Sequence, residues 1–478
     1  MPDFTSLTIQ EASKLIASKQ IKATELTRLY LDRAKKLNPK LNAFITICED
    51  TALTQAERID RLIANNPPRG PLGGLAGVPF AVKDIYSTKG IKTTAGSKVL
   101  ENYVPVYTAT AVSKLKDANA IIIGKSNLDA WAHGSSGENS DMGPTKNPYD
   151  LARVPGGSSS GSAVAVSAGL SMTATGTDTG GSIRLPAAFC NVVGLKPTYG
   201  RVSRYGVIAM ASSLDSIGHF TKTVYDNALV LNVTAGFDPK DSTTSQDKVS
   251  DYTKDIQKGP KGLKIGLPKE YFQDLDKHIK KVTLDAVKKL QELGAKVLEV
   301  SLPHTQYAVA AYYIIQPSEV SSNLARFEGI RFGHPRDKFG SEAKRRIILG
   351  TFTLSSGYYD AYYLKAMKVR RLIKEDFEKA LKKVDILICP TSPTLPFKLG
   401  EKVDDPLQMY LSDIFVVSQN LAGVPSLNVP CGFIDNLPVG MQIVGPHFSE
   451  KLLYQVGYAY EQETKWYERK PELIVASA

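Results

Sequence analysis

Three polar side chains in unusual settings are candidates for hydrolytic chemistry: Lys83, Ser158 and Ser182. Lys83 ends the apolar stretch Pro79-Phe80-Ala81-Val82. Burial disfavours a charged ammonium, and a neutral lysine amine can take a proton from a serine. Beside Asp84 the same lysine also reads as a strand-end residue in an ion pair. Ser182 closes the run Gly176-Thr177-Asp178-Thr179-Gly180-Gly181. Consecutive glycines let the backbone turn sharply and aim successive N–H groups at one point, where the oxyanion of an attacked carbonyl would sit. A helix start at Ile183–Phe189 would add its N-terminal dipole. Taken alone, Gly-Gly-Ser reads as a helix cap with Ser182 as N-cap. Ser158 lies in Gly156-Gly157-Ser158-Ser159-Ser160-Gly161-Ser162, where the glycines permit unusual backbone geometry, a cis bond included. Its hydroxyl would relay a proton between the other two groups.

Other chemistries find less support. None of the six histidines (133, 219, 278, 304, 334 and 447) sits in a paired motif, and H-E-x-x-H is absent, which weighs against zinc hydrolysis and a Ser-His-Asp triad. Gly157–Gly161 satisfies G-x-S-x-G and would make Ser159 an elbow nucleophile, but Arg153-Val154-Pro155 is a poor preceding strand. Gly124-Lys125-Ser126 resembles the end of a phosphate-binding loop, yet Asn119 occupies the required glycine position. There is no G-x-G-x-x-G. The net charge of +11 over 478 residues reads as a solvated lysine-rich surface or as a docking face for RNA. Cys48, Cys190, Cys389 and Cys431 form no C-x-x-C pair and read as thiols in a reducing compartment. With no leader-like N-terminus and no apolar run of about 18 residues, the expectation is a cytoplasmic protein without a membrane span.

The elements that must position these groups follow from periodicity. Residues 7–38 predict two helices, with Thr24 as a cap for the second. The turn-rich Asn65–Gly74 reads as a loop. Val78–Val82 and Ala120–Ile123 read as strands around a helix at Thr110–Asp117, and Val192–Leu195 as another strand. Leu263–Leu267, His278–Leu293 and Lys296–Val300 read as strand, helix, strand. One long helical pattern runs from Ser341 to about Lys383. Asp385–Cys389, Leu427–Pro430 and Val439–Val444 read as strands, and Leu452–Tyr460 as a closing helix. This alternation predicts one large α/β domain over 1–478: N-terminal helices at 7–38, a core at about 75–220, and a part at about 260–465 that completes the sheet and pocket.

The runs Gly156–Ser162 and Gly176–Arg184, with Lys83 upstream, resemble the amidase signature family in residue type, order and spacing. The resemblance implies a mixed sheet flanked by helices on both faces. It implies Ser182 as the acyl-forming nucleophile, Ser158 as a relay on a cis peptide, Lys83 as base, and an oxyanion hole from the N–H groups of Thr179, Gly180 and Gly181. The likeness extends through Phe189–Asp215, Lys344–Ile347, Ser356–Tyr363 and Met409–Asp413 to the glutamine-hydrolysing subunits of tRNA-dependent amidotransferases. That implies glutamine as amide donor, with Arg346 on its α-carboxylate, Asp413 on its α-ammonium and Tyr312, or its neighbour Tyr313, lining the pocket. It implies B and C partner subunits, a mischarged Glu-tRNA or Asp-tRNA reached through the complex, no cofactor in this chain, and ATP with Mg2+ on the partner. A stand-alone hydrolase of small amides is the alternative. His133, Gly137 and Ser160 depart from the residues usual in the family, and the stretch between Arg331 and Arg346 is shorter than usual.

Overall fold

Several strands of this chain carry no hydrophobic alternation: Ile121-Ile122-Ile123 and Ile386-Leu387-Ile388 are apolar at successive positions. Such runs suit strands covered on both faces. The computed structural model, which describes residues 4–65, 74–327, 329 and 333–475, builds them into a sheet of eleven strands. In chain order these are β1 (Phe44–Ile47), β2 (Pro79–Lys83), β3 (Ile121–Ser126), β4 (Thr173–Asp178), β5 (Val193–Lys196), β6 (Ser216–Thr221), β7 (Lys264–Pro268), β8 (Lys296–Val300), β9 (Ile386–Pro390), β10 (Ser426–Ile434) and β11 (Leu437–Val444). Their spatial order is β1-β3-β2-β4-β6-β5-β10-β11-β9-β7-β8. β2 runs parallel to β3 and β4, and β7 parallel to β8 and β9. The other pairings are antiparallel. Every residue of β2, β3, β4, β6, β9 and β11 is buried. The expected mixed α/β sheet is therefore present, with its central strands covered on both faces.

The helix at Thr110–Asp117 and the strand at Lys296–Val300 fall where periodicity put them. The N-terminal pair is Ile9–Ala17 and Ala23–Leu41. Thr24 does not cap the second helix: Lys22 occupies that position, and Glu25 accepts its N–H at 2.9 Å. The Thr24 hydroxyl instead donates to Asp60 at 2.8 Å, because the following helix, Glu49–Asn65, brings that carboxylate alongside. The long helical pattern from Ser341 is broken. It divides into Ser341–Thr353 and Lys365–Leu381, with a wide π turn at Asp360–Leu364 between them. Gly357 takes φ +85° at the break, a conformation costly for side-chain-bearing residues. Most of the loop expected at Asn65–Gly74 lies outside the described residues. All four cysteines are buried and free.

β2 and β3 end side by side, with Lys83 opposite Ser126. Two buried lysines result, Lys83 and Lys125. Among the described residues Asp84 is the carboxylate within ion-pair reach, and it goes to Lys125 at 2.9 Å. Its other oxygen accepts the N–H and hydroxyl of Thr94 at 2.8 and 2.5 Å. Lys125 thus has no phosphate-binding part to play, and the Lys83–Asp84 pair open in the sequence does not form. Removing one partner of a buried ion pair strands the other charge. Asp84→Ala is predicted to destabilise the fold by about 3–5 kcal/mol, read as a lowered denaturant midpoint. An unchanged midpoint would contradict the pairing.

Candidate active site

Lys83 reaches its position because it ends the otherwise apolar strand β2, which runs beside β4. Its N–H donates to Thr175 Oγ1 of β4 at 3.0 Å, and its side chain is fully buried. The amine meets three hydroxyls: Ser158 Oγ at 2.9 Å, Ser159 Oγ at 2.9 Å and Thr177 Oγ1 at 2.7 Å. Burial pulls its pKa down from the ordinary 10.5 to about 7, against the opposing fields of Asp129, Asp178 and Asp215. Ser159 spends its own proton on the Thr177 carbonyl at 3.2 Å, so towards the lysine it can only accept. A neutral amine therefore has its lone pair free for a proton from Ser158 or Thr177. Sequence reasoning found Ser158 but not Thr177. The available signal was a threonine-rich stretch, Thr173–Thr179.

The Gly157–Ser158 peptide bond is cis, as the resemblance implied. Residue 157 has to be glycine, since a Cβ there would lie 2.0 Å from Asp129 Oδ2. That carboxylate in turn accepts the N–H groups of Gly137 and Asn139, and burial raises its pKa to about 7 against those hydrogen bonds. The Ser158 carbonyl accepts the Asp129 N–H at 3.2 Å. Two of the departures noted in the sequence fit each other here. A Cβ on Gly137 would fall 2.6 Å from Ser160 Cβ. Ser160 opens the helix Ser160–Ser167 and bonds Thr145 at 3.1 Å. The extra side chain at 160 therefore requires the missing one at 137.

Ser182 stands on the other wall. The Ser159 N–H donates to the Ser182 carbonyl at 3.2 Å, joining the two loops. Ser158 is fully buried, whereas Ser182 keeps 7% exposure, so of the pair Ser182 is the one open to a substrate. The helix after it runs from Arg184 to Phe189 with Ile183 at its cap, so Ser182 is not the N-cap.

What shapes this loop is Asp178, which the sequence reading left unassigned. Its carboxylate accepts the N–H of Gly181 at 2.8 Å and of Ile183 at 3.1 Å, and holds the Arg184 guanidinium at 2.9 and 3.0 Å. Burial alone would raise its pKa, but Arg184 carries it well below the usual carboxylate range. Arg184 is itself fully buried and continues to Gln442, Asn420 and the Val416 carbonyl. Gly181 thus departs from the expected oxyanion hole, because its N–H is committed to Asp178. Among the described residues no acceptor is recorded for the N–H groups of Thr179, Gly180 or Ser182. Those three are the donors the loop can offer to an oxyanion.

The residues expected to recognise a substrate adjoin the loop through two tyrosines. A Cβ on Gly180 would meet the Tyr312 ring at 2.5 Å, so Tyr312 seats directly on the loop. Tyr313 packs edge-on to it at 5.0 Å and donates to Asp413 Oδ2 at 2.8 Å. Ser135 donates to the same oxygen at 2.8 Å. Burial raises the Asp413 pKa to about 6. Arg346 lies over the Tyr313 ring at 5.0 Å and bonds Glu342 at 2.7 Å and Gln316 at 2.6 Å, which leaves its Nη2 uncommitted. Both tyrosines adjoin the candidate site, Tyr312 on the loop and Tyr313 between the two charges. A cavity of about 180 Å³ opens on the Arg346 side, lined also by His133, Ser135 and Tyr410, though not by Ser158 or Ser182. A fixed cation and a fixed anion beside one tyrosine suit a zwitterionic ligand.

A lysine–serine hydrogen-bond network beside a glycine-loop serine, on a mixed α/β sheet, defines a hydrolase architecture that needs no histidine. The chain belongs to the amidase family, whose model matches residues 25–454. It is 53% identical over 483 aligned residues to the glutamyl-tRNA(Gln) amidotransferase A subunit of Carboxydothermus hydrogenoformans, covering 98% of this chain and 99% of that one. The corresponding A subunit of Coxiella burnetii is 52% identical over the same shares. Among solved structures, the glutamyl-tRNA(Gln) amidotransferase A subunit of Thermotoga maritima superimposes with a TM-score of 0.83 at 45% identity, covering 97% and 96% of the two chains. The peptide amidase of Stenotrophomonas maltophilia gives 0.84 at 33% identity, covering 98% and 99%.

With Lys83 as base, the neutral amine is the active form, and the folded pKa of about 7 sets the window. Amide hydrolysis is predicted to fall about tenfold per pH unit below that value and to level off above it. A profile still rising toward pH 10 would contradict this assignment.

Proposed function

We propose that this chain is the glutamine-hydrolysing subunit of a tRNA-dependent amidotransferase. The observation that carries the proposal is the Lys83 amine held 2.9 Å from Ser158 Oγ with no carboxylate bonded to it, beside the loop that presents Ser182. Ser182 Oγ attacks the side-chain amide carbon of glutamine. Its proton passes to Ser158, whose own proton goes to the Lys83 amine. The oxyanion is met by N–H groups of the Thr179–Ser182 loop. On collapse the proton returns through Ser158 to the leaving nitrogen, ammonia departs, and an acyl ester remains on Ser182. Water then enters by the same relay and releases glutamate. Arg346 holds the α-carboxylate and Asp413 the α-ammonium, with Tyr312 against the acyl chain.

The high identity to proteins named as the A subunit of glutamyl-tRNA(Gln) amidotransferase supports the rest of the proposal. In it, ammonia travels to a partner B subunit, where ATP and Mg2+ serve the amidation of Glu-tRNA(Gln) or Asp-tRNA(Asn). A C subunit steadies the pair, and the assembly works in the cytoplasm. No helix among the described residues is long and apolar enough to cross a membrane. The fold alone does not separate this reading from a stand-alone amidase, since the peptide amidase superimposes equally well. The closer identity to the amidotransferase subunits, together with the Arg346 and Asp413 charges, favours glutamine.

The test is to trap the protein with a glutamine-derived electrophile and map the adduct by mass spectrometry. The adduct is predicted on Ser182, and Ser182→Ala is predicted to lose both the adduct and ammonia release, by about 10⁴-fold or more. Full glutamine-dependent activity in Ser182→Ala, or an adduct on Ser159, would defeat the proposal.

A further inference from the structure

His133 is fully buried, and neither ring nitrogen has a hydrogen-bond partner. Buried polar groups ordinarily find partners, so an orphaned imidazole asks for one. This ring lines the cavity that Arg346 lines. His219 also has two unpaired ring nitrogens, but it lies inside strand β6 and is not part of that cavity wall. The backbone holds His133 firmly in place. Trp131 and Ala132 take φ +60° and +64°, a turn that reverses the chain just before it. Trp131 is wedged between Phe327 at 4.9 Å and Phe339 at 5.3 Å. The His133 carbonyl accepts Asn139 Nδ2 at 2.6 Å. The residue is therefore held at the cavity wall while the hydrogen-bonding capacity of its ring is unused.

The geometry points to His133 as a substrate-binding residue whose imidazole N–H donates a second hydrogen bond to the α-carboxylate gripped by Arg346. This inference rests on the glutamine reading above. The carboxylate is the group assigned because, of the charged side chains lining this cavity (Glu138, Glu342, Arg345, Arg346 and Lys402), the one whose field acts on the imidazole is Arg346, and Glu342 is already bonded to Arg345 and Arg346. The anion Asp413 lies behind Ser135 and does not line the cavity. Burial, and then the Arg346 charge, keep the imidazole neutral. It therefore brings a donor without adding a second cation, which orients the carboxylate rather than merely attracting it.

The experiment measures glutaminase kinetics of the full chain, as wild type, His133→Met and His133→Gln. The substrates are L-glutamine and 4-aminobutanamide, which is glutamine without its α-carboxylate, the latter followed as substrate or as competitive inhibitor. His133→Met is expected to raise KM for glutamine about tenfold with kcat within about twofold, the mark of lost ground-state binding. His133→Gln, which restores an N–H donor, is expected to recover most of that loss. Both variants are expected to handle 4-aminobutanamide as the wild type does, which also reports an intact fold. An unchanged glutamine KM in His133→Met would overturn the inference and leave the glutamine reading standing. So would an equal loss with both compounds, or a failure of the glutamine variant to rescue. A wild type that hydrolyses 4-aminobutanamide but not glutamine would overturn both.

Discussion

The site depends on one electrostatic constraint: a lysine amine sealed from water and denied a carboxylate. Lys83 ends β2 and Lys125 sits one residue before the end of the neighbouring β3, and among the described residues Asp84 is the carboxylate within ion-pair reach. Asp84 goes to Lys125, and that lysine becomes part of the scaffold. Lys83 is left with three hydroxyls. An ammonium in that setting loses its hydration without gaining an anion, so its proton is weakly held. Lys196 shows that a low pKa is not sufficient. Burial brings it too to about 7, yet its amine bonds only the Pro197 carbonyl, which has no proton to give. What distinguishes Lys83 is the company of Ser158.

Around this amine the fold supplies two rigid walls. One is the cis-linked turn at Gly157–Ser158, pressed against Asp129 so closely that no side chain fits at 157. The other is the loop from Asp178 to Arg184, where one carboxylate collects the backbone and a guanidinium fixes it to Gln442 and Asn420. The buried Asp178–Arg184 pair is fully hydrogen-bonded, the condition under which a buried ion pair is tolerable. It holds the backbone on both sides of Ser182. Tyr312 and Tyr313 then link that loop to the Arg346 and Asp413 charges.

Much of this was legible in the residues. Uniform apolar runs marked the doubly covered strands, and glycines flanking serines marked the two loops. Strands β4 and β6 were missed because Thr173–Asp178 and Ser216–Thr221 are rich in polar and small residues, and their burial comes from neighbouring strands rather than from their own composition. The break after Thr353 was hidden by continuing helical spacing, and only Gly357 hinted at it. Which carboxylate would claim which lysine was not readable, because Asp84 is next to Lys83 in sequence but lies against Lys125 in space. Asp178 and Arg184 were in plain view within the glycine run. Their mutual pairing, and the loss of the Gly181 N–H to it, depend on how tightly that loop turns.

The most direct measurement of the central claim is the protonation of the Lys83 amine itself, followed by NMR of protein carrying ¹⁵N-labelled lysine and assigned by difference from a Lys83→Arg variant. The difference separates it from Lys196, which shares its range. The account predicts a lysine signal, absent from the variant, that titrates with a midpoint near 7. A Lys83 amine that stays charged up to pH 10 would contradict it.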